Sequence, residues 1–138
     1  MTRPLPARLM QWSLLALAAY FLLIAAAHVT GTKLPLLFVY FNVPSTAYQD
    51  NIIAFLAFGW AMFFFTAARD PATNRPLIRA LLLAAGGAVA GLSHINLTTD
   101  FAALAPNIAI WPFWAQTGIL AGILIWLSGL YVAIRPKT

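Results

Sequence analysis

Residues 113–134 read FWAQTGILAGILIWLSGLYVAI, an uncharged run set between Pro112 and Arg135-Pro136. A helix rises about 1.5 Å per residue, so this run reaches across a hydrocarbon core of about 30 Å. Three further stretches have the same character: Leu9 to His28, Asn51 to Ala68, and Leu77 to Leu97 behind Pro76. Proline suits the first turn of a helix, where its missing N–H would be unpaired anyway. The composition agrees. Soluble chains are about 45–50% apolar and about 25% charged, whereas this one is 62% apolar and 8% charged. The expected fold is an all-α integral membrane four-helix bundle, a single transmembrane domain over residues 1–138.

Charge orders the spans. If the four helices run up-down-up-down, Arg3, Arg8, Arg69, Arg75, Arg79, Arg135 and Lys137 share one side with Asp70, a net +6. Lys33, Asp50 and Asp100 share the other, a net −1, and the two sides return the total of +5. The positive-inside rule puts both termini in the cytoplasm. The basic balance is thereby a topology signal, and no nucleic-acid partner is expected. Trp12 and Tyr131 then fall at the inner interface, and Tyr40, Tyr48, Trp111 and Trp114 at the outer one, where amphipathic rings belong. Trp60 and Trp126 lie deeper and are assigned to packing. The Arg8 flank and the Ala25-Ala26-Ala27 end of the first span resemble a signal peptide, but the apolar run exceeds the usual h-region of about 7–15 residues. The first helix is read as retained.

The connections differ. The inner turn, residues 69–75, is short and polar. The outer segments, 34–49 and 101–111, are apolar, too short to cross, and interrupted by Pro35, Pro44 and Pro106. Unpaired backbone cannot face lipid, so both segments are expected to cap the outer mouth of the bundle. Helix packing is expected from Gly87-x-x-x-Gly91 and Gly118-x-x-x-Gly122, within the chain or between copies, because small residues allow close approach in lipid. The second span is the bulky one, with Phe55, Phe58, Phe63, Phe64 and Phe65.

The polar inventory is thin. The chain has no cysteine and no glutamate, which removes disulfide chemistry, thiolate catalysis and iron–sulfur clusters. His28 stands roughly 28 Å above Leu9, and His94 roughly 22 Å above Arg79. Asp50, Asn96, Asp100 and Gln116 fall at a similar level. Ionisable groups in a membrane segment are functional candidates, so His28, His94, Asp50, Asn96, Asp100 and Gln116 form the candidate site. His94 continues the stripe of Gly87 and Gly91 and is expected to face a packed neighbour. The plainer reading is that the histidines satisfy local partners, while Asp50 caps the second span and Asp100 serves a loop. Gln116 and Asn96 can do the same. No serine has a nucleophile-elbow setting.

The four-span plan and the Ala67-Ala68-Arg69-Asp70-Pro71 exit of the second span resemble small bacterial inner-membrane proteins of the DoxX-like and BphX-like groups. The resemblance implies a four-span bacterial protein of uncharacterised role and carries no site residue over. The leading expectation is a non-enzymatic inner-membrane protein, either an accessory or scaffold subunit of a larger membrane complex or a holder of an apolar small molecule beneath the cap. It needs no cofactor, and the lipid bilayer is its constant partner. The first alternative is a redox or metal protein that binds haem b or a divalent metal through His28 and His94. The second is a homo-oligomeric channel or carrier, against which stands the lack of a continuous polar stripe on any span.

Overall fold

The computed structural model describes residues 4–105 and 107–134. Arg3, Pro106, Arg135, Pro136 and Lys137 lie outside them. The regular elements among the described residues are helices, with no strand: α1 (Leu5–Thr30), α2 (Ala47–Arg69), α3 (Arg75–Thr98), the single-turn α4 (Phe101–Leu104) and α5 (Trp111–Ala133). α1, α2, α3 and α5 are each long and apolar enough to cross a membrane. All four expected spans are present. Each helix is longer than the expected span at one or both ends, except that α5 begins two residues earlier and stops one residue sooner.

Local chemistry explains these ends. α1 stops where Gly31 takes a left-handed conformation at φ 66°, which only glycine adopts without cost. Gly31 N–H then donates to His28 C=O and Thr32 N–H to Ala27 C=O, the two bonds of a Schellman motif. α2 starts four residues before the expected Asn51 because Thr46 and Gln49 form a capping box. Gln49 N–H donates to Thr46 Oγ1 at 3.3 Å, and Thr46 N–H to Gln49 Oε1 at 2.9 Å. Two otherwise unpaired donors are thereby satisfied. Asp50 was expected to cap this helix; Thr46 does so instead, and the Asp50 side chain is free for another partner. Between α2 and α3, Asp70 accepts from Ala72 N–H at 3.2 Å and from Thr73 Oγ1 at 2.9 Å, closing the polar turn.

The long helices touch in cyclic order, α1 to α2 to α3 to α5 and back to α1, and the α1–α2 pair is the most extensive. The small residues buried in these two helices are alanines: Ala7, Ala18 and Ala27 from α1, and Ala54, Ala57, Ala61, Ala67 and Ala68 from α2. Ala54, Ala57 and Ala61 recur three to four residues apart, and Phe64 and Ala68 continue the same face. Phe55, Phe58, Phe63 and Phe65 occupy the exposed side, and Phe64 alone of that aromatic set turns inward. The glycine expectation is corrected for contacts within the chain. A methyl group on Gly87, Gly91, Gly118 or Gly122 would meet no neighbouring atom within 4 Å, and all four positions are exposed.

The main core lies at the end of the bundle that carries Arg75. It joins Met10 and Leu14 of α1, Phe64 of α2, Ile78 and Leu81 of α3, and Leu127 and Leu130 of α5. Met10 and Leu14 are fully sealed, at 0% exposure. Arg75 closes this end. Its guanidinium donates to the carbonyls of Tyr131, at 3.0 Å, and Ile134, and lies 4.1 Å from the centre of the Tyr131 ring. The last carbonyls of a helix lack partners within it and carry partial negative charge, so Arg75 ties α3 to the C-terminus of α5. Of the two deep tryptophans, Trp60 packs against Phe21, Phe63 and Phe64. Trp126 donates its indole N–H to Ser13 Oγ at 3.0 Å.

Candidate functional site

The opposite end of the bundle is closed by residues 31–46 and by residues 99–105 and 107–110. Pro35 and Pro44 keep the first of these segments irregular, and the second contains only the single turn of α4. Asp100, one of the candidate site residues, accepts from Ala103 N–H at 3.3 Å and caps that turn. It is exposed and stands apart from the polar cluster.

Side chains of three helices hold residues 31–46 down. Tyr20 of α1 donates its hydroxyl to the Leu36 carbonyl. Gln116 of α5 donates Nε2 to the Val39 carbonyl at 3.2 Å. Asn96 of α3 is buried and fully engaged: Tyr40 donates its hydroxyl to Asn96 Oδ1 at 3.1 Å, and Asn96 Nδ2 donates to Thr117 Oγ1 at 3.1 Å. Thr117 in turn donates to the Phe113 carbonyl at 2.9 Å. Around this chain Tyr40, Phe101 and Phe113 pack ring against ring, with centroids 5.0–5.5 Å apart. Burial raises the Tyr40 phenol above its usual range, since the neutral form tolerates the apolar surroundings better than the anion. Lys33 donates to the Val43 carbonyl at 3.2 Å and bridges the cap to itself.

A second polar group lies beside α1 and α2. His28, in the last turns of α1, and Asp50, in the first turn of α2, are each only 6% exposed. His28 Nδ1 and Asp50 Oδ1 are 3.2 Å apart, and Ser45 donates its hydroxyl to Asp50 Oδ2 at 2.9 Å. Phe38 stacks on the His28 ring with centroids 3.6 Å apart. An acidic group in the first turn of α2 is favoured by the helix dipole, and both carboxylate oxygens have a donor. A buried carboxylate needs such partners.

His28 and Asp50 form part of the wall of a cavity of about 600 Å³, a size typical of small-molecule sites. The rest of the wall is mainly apolar: Tyr20 and Ile24 from α1, Ile53 from α2, Leu92 from α3, and Leu36 and Val43 from the cap. Leu36 takes φ 72°, a region that costs a branched side chain about 1–2 kcal/mol. The Tyr20 bond to its carbonyl holds it there while the side chain lines the cavity.

The six candidate residues therefore separate. His28 and Asp50 meet. Asn96 and Gln116 anchor the cap. Asp100 caps α4, and His94 is exposed on α3, contrary to the expectation of a packed neighbour. His94 makes no hydrogen bond or ring contact with His28, and the backbones of α1 and α3 stand diagonally apart across the bundle. Among the described residues, no group of three histidine, cysteine or acidic side chains is placed to hold a metal ion. Sequence reasoning did not single out Ser45, Phe38, Tyr40 or Thr117 as members of these networks. Tyr40 had the clearest signal, a phenol in a segment too short to cross. No protein-family model, no curated protein and no solved structure matches this chain.

Proposed function

We propose that this is a non-enzymatic, multi-pass protein of the bacterial inner membrane that holds an apolar small molecule beneath its cap. In this reading the helices run up-down-up-down with both termini cytoplasmic, as the +6 against −1 division of charge favours. The observation that carries the reading is the cavity of about 600 Å³, apolar along most of its wall and polar at His28 and Asp50. Ligand sites combine these two properties, burial for affinity and a few placed polar groups for orientation. The bilayer supplies such a molecule directly.

The test is extraction of the protein with its surrounding lipid into polymer-bounded discs, followed by mass spectrometry of the organic extract. A stoichiometric apolar compound is expected from the native chain and in reduced amount from Ile24→Trp, whose indole intrudes on the cavity beside His28. Equal recovery from both proteins, or none from either, overturns the reading.

A second reading is an accessory subunit that packs against another membrane chain. It is favoured by the glycine faces of α3 and α5, which meet nothing within the chain and would admit a neighbouring helix closely. Gly91→Leu and Gly122→Leu then disrupt the association seen on native gels while the thermal melting of the chain itself is unchanged. The redox and metal reading requires His28 and His94 to cooperate; His94 is exposed, and among the described residues no group of three metal-ligating side chains includes either.

A further inference from the structure

We infer that the molecule held beneath the cap presents a neutral hydroxyl, as in an apolar phenol or alcohol, and donates it to Nε2 of His28. The inference rests on the ligand-holding function proposed above and adds the chemistry of the polar head. An ionised carboxylate is an acceptor only. Asp50 therefore receives the proton of His28 Nδ1 across 3.2 Å, and its other oxygen is taken by Ser45. In the neutral imidazole this places the one ring proton on Nδ1 and leaves Nε2 as an acceptor. Nε2 has no hydrogen-bond partner among the described residues, and none of their sealed side-chain nitrogens or oxygens lacks one. Nε2 is therefore not sealed, and the surface to which His28 contributes is the cavity wall.

Two further observations narrow the head group. Phe38 covers a face of the imidazole at 3.6 Å, so a ligand meets His28 through the ring edge, as a hydrogen bond requires. No lysine or arginine lines the cavity, and Asp50 is its one acidic residue. A carboxylate or phosphate head would meet Asp50 with no cation to offset the repulsion, whereas a neutral O–H meets an acceptor.

The test uses the full chain in lipid discs at mildly alkaline pH, with calorimetric titration of three probes that share one tail: para-nonylphenol, its methyl ether and para-nonylbenzoate. Saturable binding of the phenol is expected. The ether is expected to bind about tenfold more weakly, the worth of one hydrogen bond, and the benzoate more weakly still. Asp50→Asn keeps the shape of the site but lets the amide donate to Nδ1, which moves the ring proton to Nε2. The phenol's advantage over the ether is then expected to vanish. His28→Phe, stacked on Phe38 in the same way, is expected to bind phenol and ether equally. Equal binding of phenol and ether by the native chain, or tighter binding of the benzoate, overturns the hydroxyl assignment while leaving the cavity as a ligand site. Absence of saturable binding by every probe, with no compound recovered from native membranes, overturns the ligand-holding function itself. If both variants fail to fold, the ranking of the three probes on the native chain decides alone.

Discussion

The two ends of the bundle solve opposite problems. At the Arg75 end, Met10, Leu14, Ile78 and Leu81 close into a core among four helices, and Arg75 satisfies the carbonyls that α5 leaves open. At the capped end the helices leave space. Irregular backbone, the His28–Asp50 pair and a strained Leu36 line a cavity there, beside the packed rings of Tyr40, Phe101 and Phe113. Packed interiors transmit any change in volume, whereas a site must leave volume for its ligand. On the proposed reading, the contrast assigns stability to one end and recognition to the other.

The largest predicted effect breaks the stable end. Leu14→Ala empties a sealed position and is expected to cost about 2–4 kcal/mol, seen as a lower melting temperature in detergent, with the affinity for para-nonylphenol unchanged in the protein that remains folded. A large loss of affinity at full stability would mean that the two ends are not separate. Arg75→Ala comes next, at about 2 kcal/mol, since two charge-assisted bonds and a ring contact disappear. Arg75→Lys is expected to recover only part, because an ammonium lacks the planar fork.

Asn96→Ala acts on the capped end. It leaves the Tyr40 and Thr117 hydroxyls without their partner and is expected to cost about 1–2 kcal/mol, with faster proteolysis within residues 31–46 as the specific readout. Leu36→Gly sharpens the comparison in the other direction. Relief of the φ 72° strain is expected to stabilise the chain by up to about 1 kcal/mol, while loss of the side chain from the cavity wall weakens binding of the ligand. A melting temperature that falls would show that the leucine side chain matters more to packing than to the site.

The smallest effect is one of pH. The Tyr40 phenol is raised in the folded chain, so the unfolded chain loses that proton first. The contribution of Tyr40 is complete below pH about 10, the ordinary phenol value, and is lost as pH rises through the higher folded value. Native protein is therefore expected to lose cap protection against proteolysis at strongly alkaline pH, and Tyr40→Phe is expected to lack that component.

Much of the candidate site was legible as height along the helix axis. The fixed rise per residue places His28, Asp50, Asn96 and Gln116 at one level, and the structure finds all four at the capped end. Rotation about the axis was not legible. α1 and α5 are apolar nearly all round, so no polar face tells which way a side chain turns. On α3, His94 shares the level of the other candidates yet faces outward. The glycines of α3 and α5 fail for the same reason, because a small-residue spacing marks a face without naming what meets it.

Length, hydropathy and charge by themselves determined four apolar helices, their approximate bounds and the two capping segments, because each depends only on local properties of consecutive residues. Tertiary structure alone decided that alanines of α1 and α2 are buried while the glycines of α3 and α5 stay exposed, that Thr46 releases Asp50 to His28, and that Phe38 and Ser45 complete that pair. Those pairings join residues from different helices and from the cap. They depend on how each rod is turned toward its neighbours, and packing across the whole bundle sets that turn.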